Sequence, residues 1–173
     1  MKIAISLLLS TLPVLAAAEA PSHYQPMAFL AGSCWKGDLP VQGKVTQTDE
    51  PCFTWVYGGR FIRDRHVVHS SDGRPDYRGE TVYYWDAPRK ELDYLYFESD
   101  GGVSQGAVQP TGEALLFPAT DYSDDGKVQT YRSRWQRSGD AAYDVVTEFK
   151  QPDGSWKAAW SVHMQKGRPA ATD

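Results

Sequence analysis

The segment Phe61-Ile62-Arg63-Asp64-Arg65-His66-Val67-Val68-His69 concentrates charge between apolar ends. An imidazole held beside carboxylates is the pairing that general acid–base chemistry uses, because each group shifts the other's pKa. It is equally the kind of polar group that orients a ligand in an apolar pocket. If the hairpin that follows centres near Gly73, His66 faces Glu80, with Asp64 one pair along on the same face. Ile62, Val68, Val82 and Tyr84 share that face, and the next hairpin adds Leu95 and Phe97. Three readings are open: a polar anchor in a ligand cavity, an acid–base pair, or a self-satisfied structural cluster on either face. A register shift of one residue would disperse the group. The opposite face would carry Arg63, Arg65, Thr81, Tyr83, Trp85, Tyr94, Tyr96 and Glu98. That face is either amphipathic surface or a cationic–aromatic site for a flat or anionic molecule.

Other chemistry is scarcer. His66 and His69 lie three apart, so on a strand they point to opposite faces and cannot readily share a metal ion. His163 alternates with Trp160 and Val162 and should point outward, which disfavours haem. Two cysteines, Cys34 and Cys52, cannot build a four-cysteine zinc site. On neighbouring early strands they predict a disulfide, which in a loop of this length stabilises by roughly 3 kcal/mol. The chain has no G-x-S-x-G elbow, Walker loop, H-E-x-x-H or dinucleotide fingerprint, so no catalytic residue, metal or cofactor is named by motif.

The elements that must position these residues are strands. Turn signals such as Ser70-Ser71-Asp72-Gly73, Asp86-Ala87-Pro88, Ser99-Asp100-Gly101-Gly102 and Gln151-Pro152-Asp153-Gly154 recur along the chain. Between them run Val-, Tyr-, Trp- and Thr-rich segments that alternate apolar with polar residues, the signature of hairpin-connected antiparallel strands. Tyr143, Val145, Thr147 and Phe149 fall on one face, as do Trp156, Ala158, Trp160, Val162 and Met164. The spacing predicts strands near 33–38, 43–49, 52–57, 60–69, 77–86, 91–98, 103–109, 113–119, 127–137, 141–150 and 156–165, about ten in all if the first two are one bent strand. A short helical turn is expected at 25–31 and a loose tail at 167–173. So many strands in hairpin order remove their edges by closing into an up-and-down β-barrel, with a two-sheet sandwich as the alternative. A barrel of this size has room for one small ligand.

Residues 1–20 carry one positive charge, an apolar run from Ile3 to Leu15 and small residues in an A-x-A pattern. That predicts an export signal cleaved after Ala18 or Ala20, and a single barrel domain over 21–166 in the periplasm or outside the cell. No second apolar run of spanning length follows, so membrane insertion after cleavage is not expected. The net charge of −4 argues against a nucleic-acid partner.

Phe29-Leu30-Ala31-Gly32-Ser33-Cys34-Trp35 is similar to the opening of lipocalin-like, calycin-type barrels. Gly58-Gly59-Arg60-Phe61, Tyr84-Trp85-Asp86 and Ser99-Asp100-Gly101 resemble motifs of the DUF1579-like bacterial proteins of unknown function, although one extra residue precedes Trp35. Haem-binding nitrobindin barrels are similar at a greater distance. The resemblance implies a lipocalin-like barrel and no particular reaction. The expected function is therefore binding of a small, apolar or aromatic molecule, anchored by Asp64, His66 and Glu80 with Tyr84 and Trp160 as walls. The alternatives are a hydrolase or isomerase using His66 with Glu80 or Asp64, and a filled barrel that serves as an envelope interaction module.

Overall fold

The computed structural model describes residues 21–42, 45–124 and 127–171. The turn signals separate ten antiparallel strands: β1 (Ser33–Gln42), β2 (Val45–Val56), β3 (Phe61–Ser70), β4 (Tyr77–Asp86), β5 (Glu91–Glu98), β6 (Val103–Thr111), β7 (Ala114–Asp124), β8 (Lys127–Arg137), β9 (Ala142–Lys150) and β10 (Trp156–Pro169). Each strand pairs with its sequence neighbours, and β10 returns to pair with β1, so the sheet closes as an up-and-down barrel. Closure satisfies the backbone of the first and last strands, which would otherwise be exposed edges.

Period-two alternation decides what the barrel encloses. Tyr143, Val145 and Thr147 of β9 and Val162 and Met164 of β10 face inward, as the pattern requires. A bulge between Ala158 and Trp160 breaks the alternation in β10. The extra residue turns Trp156 to the outer face, where the Arg132 guanidinium lies 4.4 Å above its ring, and leaves Trp160 inside.

The structure differs from expectation at four other places. The predicted strands 43–49 and 52–57 are one strand, β2, running through Pro51. The β1–β2 ladder steps from Cys34–Cys52 to Gly37–Asp49, so the proline's missing N–H falls where that ladder is interrupted. The helical turn lies earlier, at Ser22–Met27, because i→i+3 bonds begin at Pro21 (Tyr24 N to Pro21 O, 2.8 Å) and continue to Leu30. Gly167, Arg168 and Pro169 belong to β10, with Ser33 opposite Pro169, rather than to a tail. The β3–β4 register is one residue from the expected one: His66 lies opposite Gly79, and Glu80 lies opposite Arg65.

One end of the barrel is stoppered by the N-terminal turn. Tyr24, Met27, Leu30 and Trp35 are completely buried there. The Tyr24 hydroxyl donates to Arg60 O (2.7 Å) and accepts from Trp85 N (3.1 Å), while the Trp35 indole donates to Leu30 O (3.1 Å). The Gly58-Gly59-Arg60-Phe61 motif makes the hairpin that receives Tyr24. Tyr57, Gly58 and Gly59 all take positive φ, which glycine adopts without strain. The expected disulfide joins Cys34 to Cys52 directly across β1 and β2.

Candidate functional site: the open half of the lumen

Above the stopper the lumen opens into a cavity of about 670 Å³. Apolar and aromatic side chains from β7 to β10, among them Phe117, Trp135, Val145 and Met164, form one wall. The facing wall comes from β2 to β5. There the alternation Gln47, Asp49, Pro51, then Asp64, His66, Val68, then Tyr77, Thr81, Tyr83, then Tyr94, Tyr96, Glu98 turns polar groups inward.

His66 is the centre of that wall. Its ring packs near-parallel to those of Tyr77 and Tyr96, at centroid distances of 5.8 and 5.6 Å. Gly79 makes this possible: a Cβ there would stand 2.6 Å from the His66 Cε1 and 2.7 Å from the Tyr96 ring. His66 Nε2 shares a hydrogen bond with the Tyr96 hydroxyl (3.3 Å), and Nδ1 faces Asp64 Oδ2 at 3.6 Å. The Tyr77 and Tyr96 hydroxyls are bonded to each other, and the Tyr122 hydroxyl donates to Glu98.

Charge in this wall is unbalanced. Three carboxyls, Asp49, Asp64 and Glu98, act on one imidazole. Burial alone would lower the His66 pKa, but the Asp64 contact and the charges of Asp64, Asp49 and Glu98 outweigh it and raise the pKa. Burial pushes Asp49 up to about 6 against the pull of His66, and it raises Asp64 and Glu98 as well. Among the described residues, Asp49 Oδ1 and Asp64 Oδ1 are buried without a hydrogen-bond partner. Unsatisfied buried carboxylate oxygens are costly, and such groups mark strain, a functional role, or a place where water, an ion or a ligand completes the bonding.

The residues expected at the site divide accordingly. Asp64 and His66 line the lumen together, and Trp160 stands at its mouth, edge-on to Phe149 at 5.5 Å. Glu80 and Tyr84 do not join them. With Gly79 opposite His66, both fall on the parity that faces away from the cavity, while Thr81 and Tyr83 turn in. Tyr94, Tyr96 and Glu98, expected on the other face with Arg63 and Arg65, are inside for the same reason. Asp49, Tyr77 and Tyr122 also line the cavity, and no local motif marks them. Asp49 was detectable only as the polar member of an inward alternation that ends in Phe53. His163 lies on the outer face, 2.7 Å from Asp144.

No metal-like cluster coincides with this wall. Among the described residues, the only three potential ligand atoms of His, Cys, Asp or Glu lying within 4.8 Å of one another belong to Cys34, Glu50 and Cys52, where the sulfurs are bonded to each other. No described helix is long and apolar enough to cross a membrane.

No family model matches the chain, including any for the DUF1579-like set, and no curated protein matches it. Among solved structures it is similar to the crystal structure of Rv2717c from M. tuberculosis, with a TM-score of 0.62 at 11% identity over 87% of this chain and 100% of that one. It also aligns with a de novo designed fluorescence-activating β-barrel, with a TM-score of 0.38 at 18% identity over 78% of this chain and 92% of that one. At such identities the likeness to Rv2717c is one of fold.

Proposed function

We propose that this chain is an exported barrel that binds a small, partly apolar molecule in the open half of its lumen. The observation that carries the reading is the cavity of about 670 Å³ with an aromatic wall on one side and a buried polar cluster on the other. That combination of apolar enclosure and a few convergent polar groups is typical of small-molecule sites. Asp64 and His66 serve as anchors, and Trp160 guards the entrance. Export is supported by the apolar leader pattern of residues 1–20 and by the Cys34–Cys52 disulfide, since such bonds persist in oxidising compartments. Membership of the DUF1579-like set fits the Gly58-Gly59-Arg60-Phe61 hairpin and the barrel it helps to close.

Native mass spectrometry of protein purified from its own periplasm tests the reading. The expected spectrum carries an added mass that disappears on denaturation. A bare polypeptide mass, together with no thermal shift from any apolar compound in a small-molecule panel, would overturn it. The His66–Asp64 contact favours one further reading, acid–base chemistry on the bound molecule, with Asp64 supporting the imidazolium. In that case His66→Ala abolishes conversion of the molecule that the native spectrum identifies.

A further inference from the structure

The composition of the lumen is lopsided in sign. Of the described residues that line it, only His66 and Arg74 are basic. Arg74 sits at the rim and is held by Asp72 in its own loop, with Nε–Oδ1 and Nε–Oδ2 both 2.9 Å. His66 has both ring nitrogens engaged, one by Asp64 and one by Tyr96. Asp49, Asp64 and Glu98 therefore share one interior cation, and Asp49 and Asp64 each keep an oxygen with no donor. Asp64 is only 3% exposed, so bulk water does little to compensate it. The missing complement is a group that brings N–H donors and positive charge.

The remaining walls say what that group is attached to. Tyr83, Tyr94, Phe117, Trp135 and Tyr143 surround the lower cavity with aromatic faces and edges. Such faces attract cations and pack against flat apolar bodies. The cavity is many times the volume of a bare ion, and its carboxyls are not clustered closely enough to chelate one.

We infer that the lumen selects an organic cation: an amine or amidine carried on an aromatic or apolar body, with its N–H groups donating to Asp49 and Asp64. This rests on the lumen being a ligand site. The ligand's charge is opposite to the one suggested by the expected Arg63–Arg65 face, because the inward register excludes both arginines and admits the carboxyls.

Titration calorimetry with three probes of one shape tests it: naphthylethylamine, naphthylethanol and naphthylacetate at pH 7 on the full-length mature protein. The expected order is amine first, at least tenfold tighter than the alcohol, with the acid weakest. Asp49→Asn and Asp64→Asn, checked for folding by circular dichroism, each reduce amine affinity about tenfold and shrink the preference for the amine over the alcohol. Equal affinities, or preference for the acid, overturn the cation while leaving a binding barrel in place. Failure of the amine to bind also overturns the cation. If the native spectrum is bare as well, the binding reading falls with it.

Discussion

At the stoppered end of the barrel, the large buried polar side chains are matched to partners, although Asp93 Oδ1 on β5 has none. Tyr24 and Trp35 are fully buried, yet the hydroxyl and the indole N–H each reach a backbone carbonyl. At the open end the opposite holds: the Oδ1 atoms of Asp49 and Asp64 are buried and have no donor, beside a cavity large enough for a small molecule. Both halves are built from the same strands, so the contrast is not one of fold. It separates a region whose interactions stabilise the chain from one that costs stability when empty. Sites that must accept a ligand commonly carry such a cost.

The contrast can be broken most directly at Trp35. Trp35→Ala removes the largest fully buried side chain and should lower unfolding free energy by about 3–5 kcal/mol in urea titrations. A loss below about 1 kcal/mol would mean that the stopper is not where stability resides.

Asp49→Asn should act in the other direction. The unfolded carboxyl titrates near 3.8 and the folded one at about 6, so the folded state holds the extra proton between those values. Wild-type stability therefore falls as pH rises from about 4 to about 6, and the loss persists above that, reaching about 3 kcal/mol. His66 works with the same sign, because its raised pKa favours the folded state at low pH and that gain is lost as pH climbs through the folded value. Asparagine removes the Asp49 contribution, so thermal unfolding followed at pH 4, 5, 6 and 7 should show a flatter profile and a more stable protein at pH 7.

Gly79→Ala tests the stacking of His66. The added methyl would meet the imidazole at 2.6 Å, so the ring must shift from its contacts with Tyr77 and Tyr96. A stability loss of about 1–3 kcal/mol is expected, with the His66 pKa moving down when followed by NMR, since the ring departs from Asp64. An unchanged titration would show that the stack does not set its protonation. The smallest effect belongs to Glu80→Gln. Opposite Arg65 on the outer face, it should change stability by less than about 0.5 kcal/mol and leave ligand binding unaltered.

How much of this was legible in the sequence depends on whether a feature needs pattern or count. The strands from β3 to β9, the Cys34–Cys52 bond and the inward face of β9 follow from alternation and turn residues, and the structure agrees except that β7 runs on from the expected 119 to Asp124. The pairing of His66 required the exact length of the loop between Ser70 and Tyr77, and a displacement of one residue exchanges Glu80 for Gly79. Hydropathy could not correct it, because Val67, Val82, Tyr84 and Leu95 make the outer face nearly as apolar as the inner one. The same holds at Trp156, where a bulge inserts a residue that composition does not announce. The candidate site was thus half visible: Asp64 and His66 came from local sequence, whereas Asp49, Tyr77, Tyr96 and Glu98 join them only through three-dimensional register.

The seam between β1 and β10 sets a timetable for folding. Ser33 meets Pro169 and Trp35 meets Lys166, so the first strand completes its pairing only with the last. A polypeptide supplied from its N-terminus must wait for β10 before the ring can shut, and contacts so remote in sequence form slowly. Until then the strand fastened by the Cys34–Cys52 bond presents one unpaired side to any passing segment, its own or another molecule's. Removing β10 would leave that side open permanently, and the expected product is a chain that associates with its neighbours.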